Sequence, residues 1–392
     1  MSLNDVFEIE EEEGPSTSPL RGKHGRADRT AAAGPWRLVG QKLVRQKVAM
    51  LAGAIVVLLY LIAAFCEFLA PGLPETSKAQ YTYAPPQPIA WFIADPDGGT
   101  HFAPHIAGYT IKVDPVALRR TFVVDDSKVI PVGFFVHGER YKFWGLLTTD
   151  VHFFGPTRKT DPMYLLGADR LGHDLLSRLI YGTRVSMSIG LVGVAISLLL
   201  GVTLGSLSGF YGGWVDTLVQ RVIEVISAMP TIPLWLGLAA AIPLTWPPLQ
   251  VYFIITLIVS LLGWTSLARE VRGRFLALRG EDFVTAARLD GSTERRLIFR
   301  HILPSLTSHI LAVVTLAVPT MIVAETSLSF LGVGLKPPVV SWGVLLQDAQ
   351  NIRTVATAPW LLIWPSAAVV LAVLSFNFFG DGLRDAADPY NT

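Results

Sequence analysis

Long apolar runs alternate with polar stretches along the chain, and six of them reach the length a membrane requires. A bilayer core of about 30 Å is crossed by roughly 20 apolar residues in helical form. Such runs lie at 48–70, 185–210, 215–242, 251–268, 305–328 and 360–379. The third is the least clean, because Arg221 and Glu224 fall in its first two turns. In hydrocarbon each backbone polar group must be satisfied within its own segment, so the runs are expected as helices. The short alternating segments of a transmembrane barrel are not seen. The pattern predicts an all-α membrane protein of six transmembrane helices, with an irregular α/β or β-rich insertion between the first two.

The stretch 71–165 is a different material, rich in Pro, Gly and aromatics, with strand-like runs at Thr121–Val124 and Val129–Val136. Basic residues set the orientation. Arg37, Lys42, Arg45 and Lys47 precede the first run, and Arg269, Arg272, Arg274, Arg279, Arg288, Arg295, Arg296 and Arg300 follow the fourth. With six spans both groups lie on one side, expected to be the cytoplasm. The expected division is a disordered tail over 1–45, a first helix over 46–70, and an extracytoplasmic insertion and approach over 71–184. Helices two to six follow over 185–380, with a cytoplasmic loop at 269–304 and a cytoplasmic tail at 381–392. The first run is too long for a cleaved signal and reads as an anchor.

Composition narrows the classes. The chain is 51% hydrophobic and 16% charged, too apolar for a disordered protein. Its net charge of +1 gives no field for nucleic acid. The single cysteine, Cys66, excludes an internal disulfide and is expected to pack within its span. His101, His105, His137 and His152 lack metal-ligand spacing, so no metal and no cofactor is expected on the chain.

Within the spans, Gly193, Ser197, Gly201, Gly205 and Gly209 form a small-residue ridge four apart, which lets helix backbones approach closely. Replacing Gly205 by Leu is expected to disrupt assembly with another membrane subunit. Pro230, Pro233 and Pro319 are expected to break or kink their helices. Glu224 and Glu325 are ionisable groups within spans and either line a wet path or sit at an interface; Glu325 and Ser327 are the candidates for the path. No series of acids and histidines crosses several spans, so a proton relay has no support.

The stretch RGEDFVTAARLDGSTERRLIFRHILP (279–304) lies between two spans and is short, charged and amphipathic. Helical spacing puts Phe283, Ala286 and Ala287 on one face, continued by Asp290. Gly291 interrupts at a place where a positive φ favours glycine. Ser292 then caps a second helix, with Arg295 at its third position. This reads as a helix–turn–helix built to dock on another protein, or as a solvated connector.

Three stretches in order carry a resemblance. They are LLGADRLGHDLLSRLIYGTRVSMSIGL (165–191), DFVTAARLDGSTERRLIFRHILPSL (282–306) and ETSLSFLGVGLKPPVVSWGVLL (325–346), with LSFNFFGDGLRDAADP (374–389) closing. Together they resemble the second permease subunit of dipeptide and oligopeptide ABC importers. Ala286, Ala287 and Gly291, followed by Leu303-Pro304, resemble that family's EAA coupling loop. Thr285 stands where the triplet begins with Glu, and His173 stands where the family has Arg in a Gly-Arg-Asp triplet, which exchanges a permanent cation for a titratable one.

The resemblance implies a permease fold paired with a homologous second permease subunit. It also implies two ATP-binding subunits that hold ATP and Mg, an extracytoplasmic solute-binding protein, and a peptide substrate. Coupling residues carried over with it are Asp282, Phe283, Ala286, Ala287, Asp290, Gly291, Arg295, Arg300 and Pro304. The lone Gly22-Lys23 pair makes no ATP loop, so ATP hydrolysis belongs to partners in the inner membrane of a prokaryote. Close relatives of such permeases carry nickel or other small solutes. A membrane-anchored receptor or enzyme working through 71–165 would need a catalytic constellation that the stretch lacks.

Overall fold

A computed structural model describes residues 35–94, 100–113, 120–243 and 245–387. The helices used below are α1 (Pro35–Arg45), α2 (Lys47–Ala64), α3 (Leu175–Tyr211), α4 (Gly213–Ala228), α5 (Thr231–Ala240), α6 (Pro248–Leu278), α7 (Asp282–Leu289), α8 (Thr307–Phe330), α9 (Trp342–Gln347) and α10 (Trp360–Ala387). Five of them, α2, α3, α6, α8 and α10, are long and apolar enough to cross a membrane. The expected third span is instead a broken pair, α4 and α5, bent by 86°, and the count becomes six only if that pair is one span. The break falls where Pro230 stands in extended conformation at the start of α5, since proline removes a backbone donor and crowds the preceding turn. Pro319 does not interrupt α8.

Several expected boundaries move. The tail expected to be disordered to 45 is helical from Pro35, and residues 1–34 lie outside the described part. Helix α3 starts ten residues before its apolar run because Asp174 caps it, accepting from the backbone N–H groups of Leu176 (3.3 Å) and Ser177 (2.8 Å). Helix α6 runs on through the arginine-rich stretch to Leu278, so the loop is shorter than 269–304. Helix α10 continues to Ala387, and the rest of the expected tail lies outside the described residues.

The insertion is a single antiparallel sheet in the order β1 (Ile89–Ala94), β2 (Thr100–Val113), β3 (Arg120–Phe143) and β4 (Leu147–Pro156). The two short strands expected near 121 and 129 are parts of β3. Its first half pairs with β2 and its second half with β4, the pairing changing over between Pro131 and Val132. Between those two runs the register shifts, Gly108 pairing with Asp125 and Ala107 with Val129.

One apolar core gathers side chains from all the long helices, among them Val56, Met187, Val259, Ile322 and Phe376. Gly53 lies against Phe379 and Gly380 against Leu316. The start of α2 and the end of α10 therefore share one end of the bundle with the start of α8. The sheet joins the opposite end. There the buried ring of His152 faces the carbonyl oxygens of Ala70 (2.6 Å) and Glu139 (2.9 Å). His137 pairs with Asp150 at 3.0 Å. Among the described residues no group of His, Cys, Asp or Glu is placed to hold a metal ion.

Candidate functional site

A helix seam carries the loop. The ridge on α3 faces α6 of the same chain. A Cβ added at Gly201 would lie 2.9 Å from Leu267, at Gly205 2.6 Å from the Ala268 carbonyl oxygen, and at Gly209 2.8 Å from the Arg272 carbonyl oxygen. One at Gly193 would lie 3.2 Å from the Ser260 hydroxyl, and Ser197 donates to the Ser260 carbonyl at 3.1 Å. The small residues thus bring two backbones together within the fold, which corrects the expectation that Gly205 faces a second subunit. At the end of the seam Arg272 makes a paired contact with Asp216, 2.6 Å to its second oxygen. Three of the arginines that follow the fourth apolar run bond within the chain, since Arg279 also reaches the Gly209 carbonyl and Arg269 the Ser227 hydroxyl.

The loop grows directly from this end. Helix α7 ends at Leu289, Asp290 is its cap, and Gly291 follows at φ +79. The Ser292 N–H donates to the Ala287 carbonyl and the Gly291 N–H to the Arg288 carbonyl, both at 3.1 Å. This is the paired closure of a Schellman end, which needs the left-handed residue that glycine supplies. A Cβ at Gly291 would meet nothing within 4 Å, so conformation rather than space selects it. The cap of the next segment is Thr293, one residue later than expected, accepting from the Arg296 N–H. That segment is helical over Glu294–Arg296, widens to a π-helical turn over Leu297–Ile302, and continues through Leu303–Ser305 into α8. Pro304, which has no N–H to give, sits just beyond the widened turn.

Burial sorts the predicted residues into two faces. Val284 and Ala287 point inward, into a cluster with Phe210, Val271, Phe275, Leu297, Ile302 and Leu306. Asp282, Phe283, Ala286, Asp290, Arg295, Arg300 and Pro304 are exposed, as is Leu289 at 85%. Ala287 is therefore a seat for the loop and not part of its outer face, and Val284, unnoticed in the sequence, is its companion. The Tyr211 hydroxyl at the end of α3 donates to Glu294 at 3.0 Å and ties the second segment to the bundle.

Glu325 does not lie on an open surface. It is 0% exposed, and its carboxylate accepts from Ser329 (2.8 Å), Ser341 (2.7 Å) and Ser186 (3.3 Å). Ser341 also caps α9, accepting from the Val344 N–H, and Ser186 accepts from the Trp342 N–H at 3.1 Å. The carboxylate thus anchors a buried short helix between α3 and α8. Ser327 is half-buried and donates to the Val323 carbonyl. Glu224 is exposed on α4 beside Arg221.

Two polar clusters escaped the sequence reading. Arg184 grips the Glu67 carboxylate with both terminal nitrogens and donates to the carbonyls of Ala63 (2.8 Å) and Ala64 (3.0 Å). The His173 exchange has a partner as well: its Nδ1 is 2.7 Å from Asp169, which also receives Arg178. Burial opposes the charge on Asp169, but the His173 hydrogen bond and the Arg178 guanidinium outweigh it and hold that carboxyl below the usual range.

The chain matches known families over most of the helical part. The family described as "Binding-protein-dependent transport system inner membrane component" matches residues 201–390, and "N-terminal TM domain of oligopeptide transport permease C" matches residues 34–86. The dipeptide transport system permease protein DppC of Alkalihalophilus pseudofirmus is 38% identical over 223 residues, 57% of this chain and 71% of the relative. The glutathione transport system permease protein GsiD of Pectobacterium atrosepticum is 38% identical over 57% of this chain and 72% of its own length. The oligopeptide transport system permease protein OppC of Haemophilus influenzae is 37% identical over 62% and 75%.

Proposed function

This chain belongs to the family of binding-protein-dependent transport system inner membrane components, in its dipeptide and oligopeptide branch, and from that premise we propose that it forms half of the passage of an ATP-driven peptide importer. It is a transporter subunit and not an enzyme. The observation that carries the coupling role is the two-faced loop: Val284 and Ala287 are set into the ends of α3, α6 and α8, while Phe283, Ala286 and Leu289 are bare.

In this reading the bare face seats in a groove on one of two ATP-binding subunits, which hold ATP and Mg. A groove that moves pushes the loop, and the inner face passes the push to the spanning helices it is buried among. The change is a rigid-body one between an outward-open and an inward-open passage, biased by what the motor binds. A homologous permease supplies the other half, and an extracytoplasmic solute-binding protein delivers the peptide. The charge bias supports a cytoplasmic location for the loop and both termini in the inner membrane of a bacterium.

The test is uptake of labelled di-, tri- and longer peptides by cells with and without the chain, under ATP depletion and under an ionophore. Uptake is expected to need both the chain and ATP and to survive the ionophore. Peptide uptake that persists without the chain, or that follows the ion gradient, overturns the reading.

A further inference from the structure

We propose that the tip of the β3–β4 hairpin, residues 143–147, rests in the anionic headgroup layer of the bilayer and moors the sheet to the membrane. The inference rests on the reading of α2 as a membrane span. The height of the tip is fixed by contacts to the end of that span. Phe143 pairs with Leu147 as the last rung, and the turn closes with the Leu146 N–H donating to the Phe143 carbonyl at 2.9 Å. The Trp144 indole N–H donates to the carbonyl of Ala64, the last residue of α2, at 2.9 Å. Phe143 stacks on Phe65 with ring centres 5.9 Å apart. The tip therefore sits level with the place where the span stops.

Its side is fixed as well. Helix α2 packs Ala52, Val56, Leu59 and Ala63 into the bundle and turns Leu51, Leu58, Leu61 and Phe65 away from it. That outward apolar stripe ends at Phe65 and is continued by the tip, where Trp144 is 60%, Leu146 85% and Leu147 69% exposed. Such bare aliphatic surface beside a lipid-facing stripe matches the same solvent. Trp144 supplies the amphipathic ring favoured at a membrane boundary.

Charge names the lipid. Arg140 and Lys142 are exposed beside the tip, while the flanking acids are engaged elsewhere, Glu139 by the Thr76 hydroxyl at 2.6 Å and Asp150 by His137 at 3.0 Å and Lys159 at 3.4 Å. Basic side chains next to an exposed aromatic at the level where a span ends suit phospholipid phosphates. The turn is also held against local preference. Trp144 has φ +49, a region that bulky residues avoid. Its ring lies under the Arg184 guanidinium at 5.1 Å, and its backbone N–H donates to the Glu67 carboxylate at 3.4 Å.

The experiment uses the whole importer in nanodiscs containing anionic phospholipid, with Cys66→Ala as background. A nitroxide is attached at Leu146→Cys, with Leu58→Cys on the stripe and Asp126→Cys far along β3 as references. Collision with oxygen and with a water-soluble nickel chelate is compared. Position 146 is expected to fall between positions 58 and 126, with more oxygen collision and clearly less nickel broadening than at 126. A water-like signal at 146 with a lipid-like signal at 58 overturns the mooring. Protection of 146 from both probes also overturns it, since protein then covers the tip. A water-like signal at 58 defeats the reading of α2 instead.

Discussion

The seam between α3 and α6 and the loop that follows α6 both depend on glycine, for opposite reasons. At Gly205 the φ is ordinary and the neighbourhood is closed: the Ala268 carbonyl oxygen lies 2.6 Å from where a Cβ would stand. At Gly291 the neighbourhood is open and the φ is +79. The first glycine makes room, and the second makes a turn. In the proposed importer this separates a rigid part from a transmitting one. A seam whose backbones touch moves as one body, whereas the loop is joined to it by turns that fix direction without filling space. The comparison teaches that a small residue in a membrane subunit has no single meaning until its φ and its neighbours are both known.

The largest expected effect breaks the seam. Gly205→Leu forces a side chain into backbone that cannot retreat, and overpacking costs about 1–3 kcal/mol even where neighbours yield. The full-length chain is expected to be lost from membranes on immunoblots, while Gly237→Leu, at a site with nothing within 4 Å, accumulates normally. A stable Gly205→Leu chain that only fails to co-purify with the second permease would return the ridge to an intersubunit role. Next comes the turn. An L-residue at positive φ costs about 1–2 kcal/mol, borne by a loop that is exposed. Gly291→Val should insert and assemble but lose peptide uptake, and Gly291→Asn should keep most of it, because Asn tolerates the left-handed region. Normal uptake by the valine variant removes the argument.

A smaller effect separates the two faces of α7. Ala287→Leu overfills the pocket under the loop and should lower the melting temperature of the purified complex, with activity falling in step. Phe283→Ala should leave melting unchanged and reduce substrate-stimulated ATP hydrolysis by the partner subunits. If melting instead falls for Phe283→Ala and not for Ala287→Leu, the inner and outer faces have been exchanged.

How much of this was legible varies with the range of the interaction. The long helices are readable because an apolar run reports its solvent directly. The break at Pro230 and the turn at Gly291 are readable because each is a local backbone demand. The face of α7 is not: Ala286 and Ala287 look alike in sequence, and only packing against Phe275 and Leu306 makes Ala287 the buried one. The partner of the small-residue ridge is likewise absent from the ridge itself. Strand β3 reads as two pieces because a polar register shift resembles a loop. Arg184 with Glu67, and Ser186 with Glu325, are pairs separated by more than a hundred positions, and nothing local in either member announces the other. That is why Glu325 looks like a pathway residue in the sequence and is an anchor in the structure.

The smallest effect concerns the His173 exchange. Asp169 has a depressed pKa in the fold, because its hydrogen bond from His173 and the charge of Arg178 exceed the penalty of burial. A depressed carboxyl pKa stabilises the native state above the ordinary carboxylate value, about 3.9, and that contribution is lost as pH falls towards and through the folded pKa. Between pH 6 and 8 the cluster should therefore leave stability flat with respect to this group. Below about pH 4 the unfolded chain takes up the proton first, and the contribution shrinks until the folded carboxyl, held lower, is protonated in its turn and its contacts to His173 and Arg178 weaken. Arg170 and Asp348, paired at 3.0 Å, stand close by, and burial holds the Asp348 carboxyl above its ordinary range. Thermal melting of the purified complex from pH 7 to 3 should fall more steeply for the native chain than for Asp169→Asn, which starts lower and carries no proton to gain. Parallel curves would mean that Asp169 has the same pKa folded and unfolded and that its partners do not depress it.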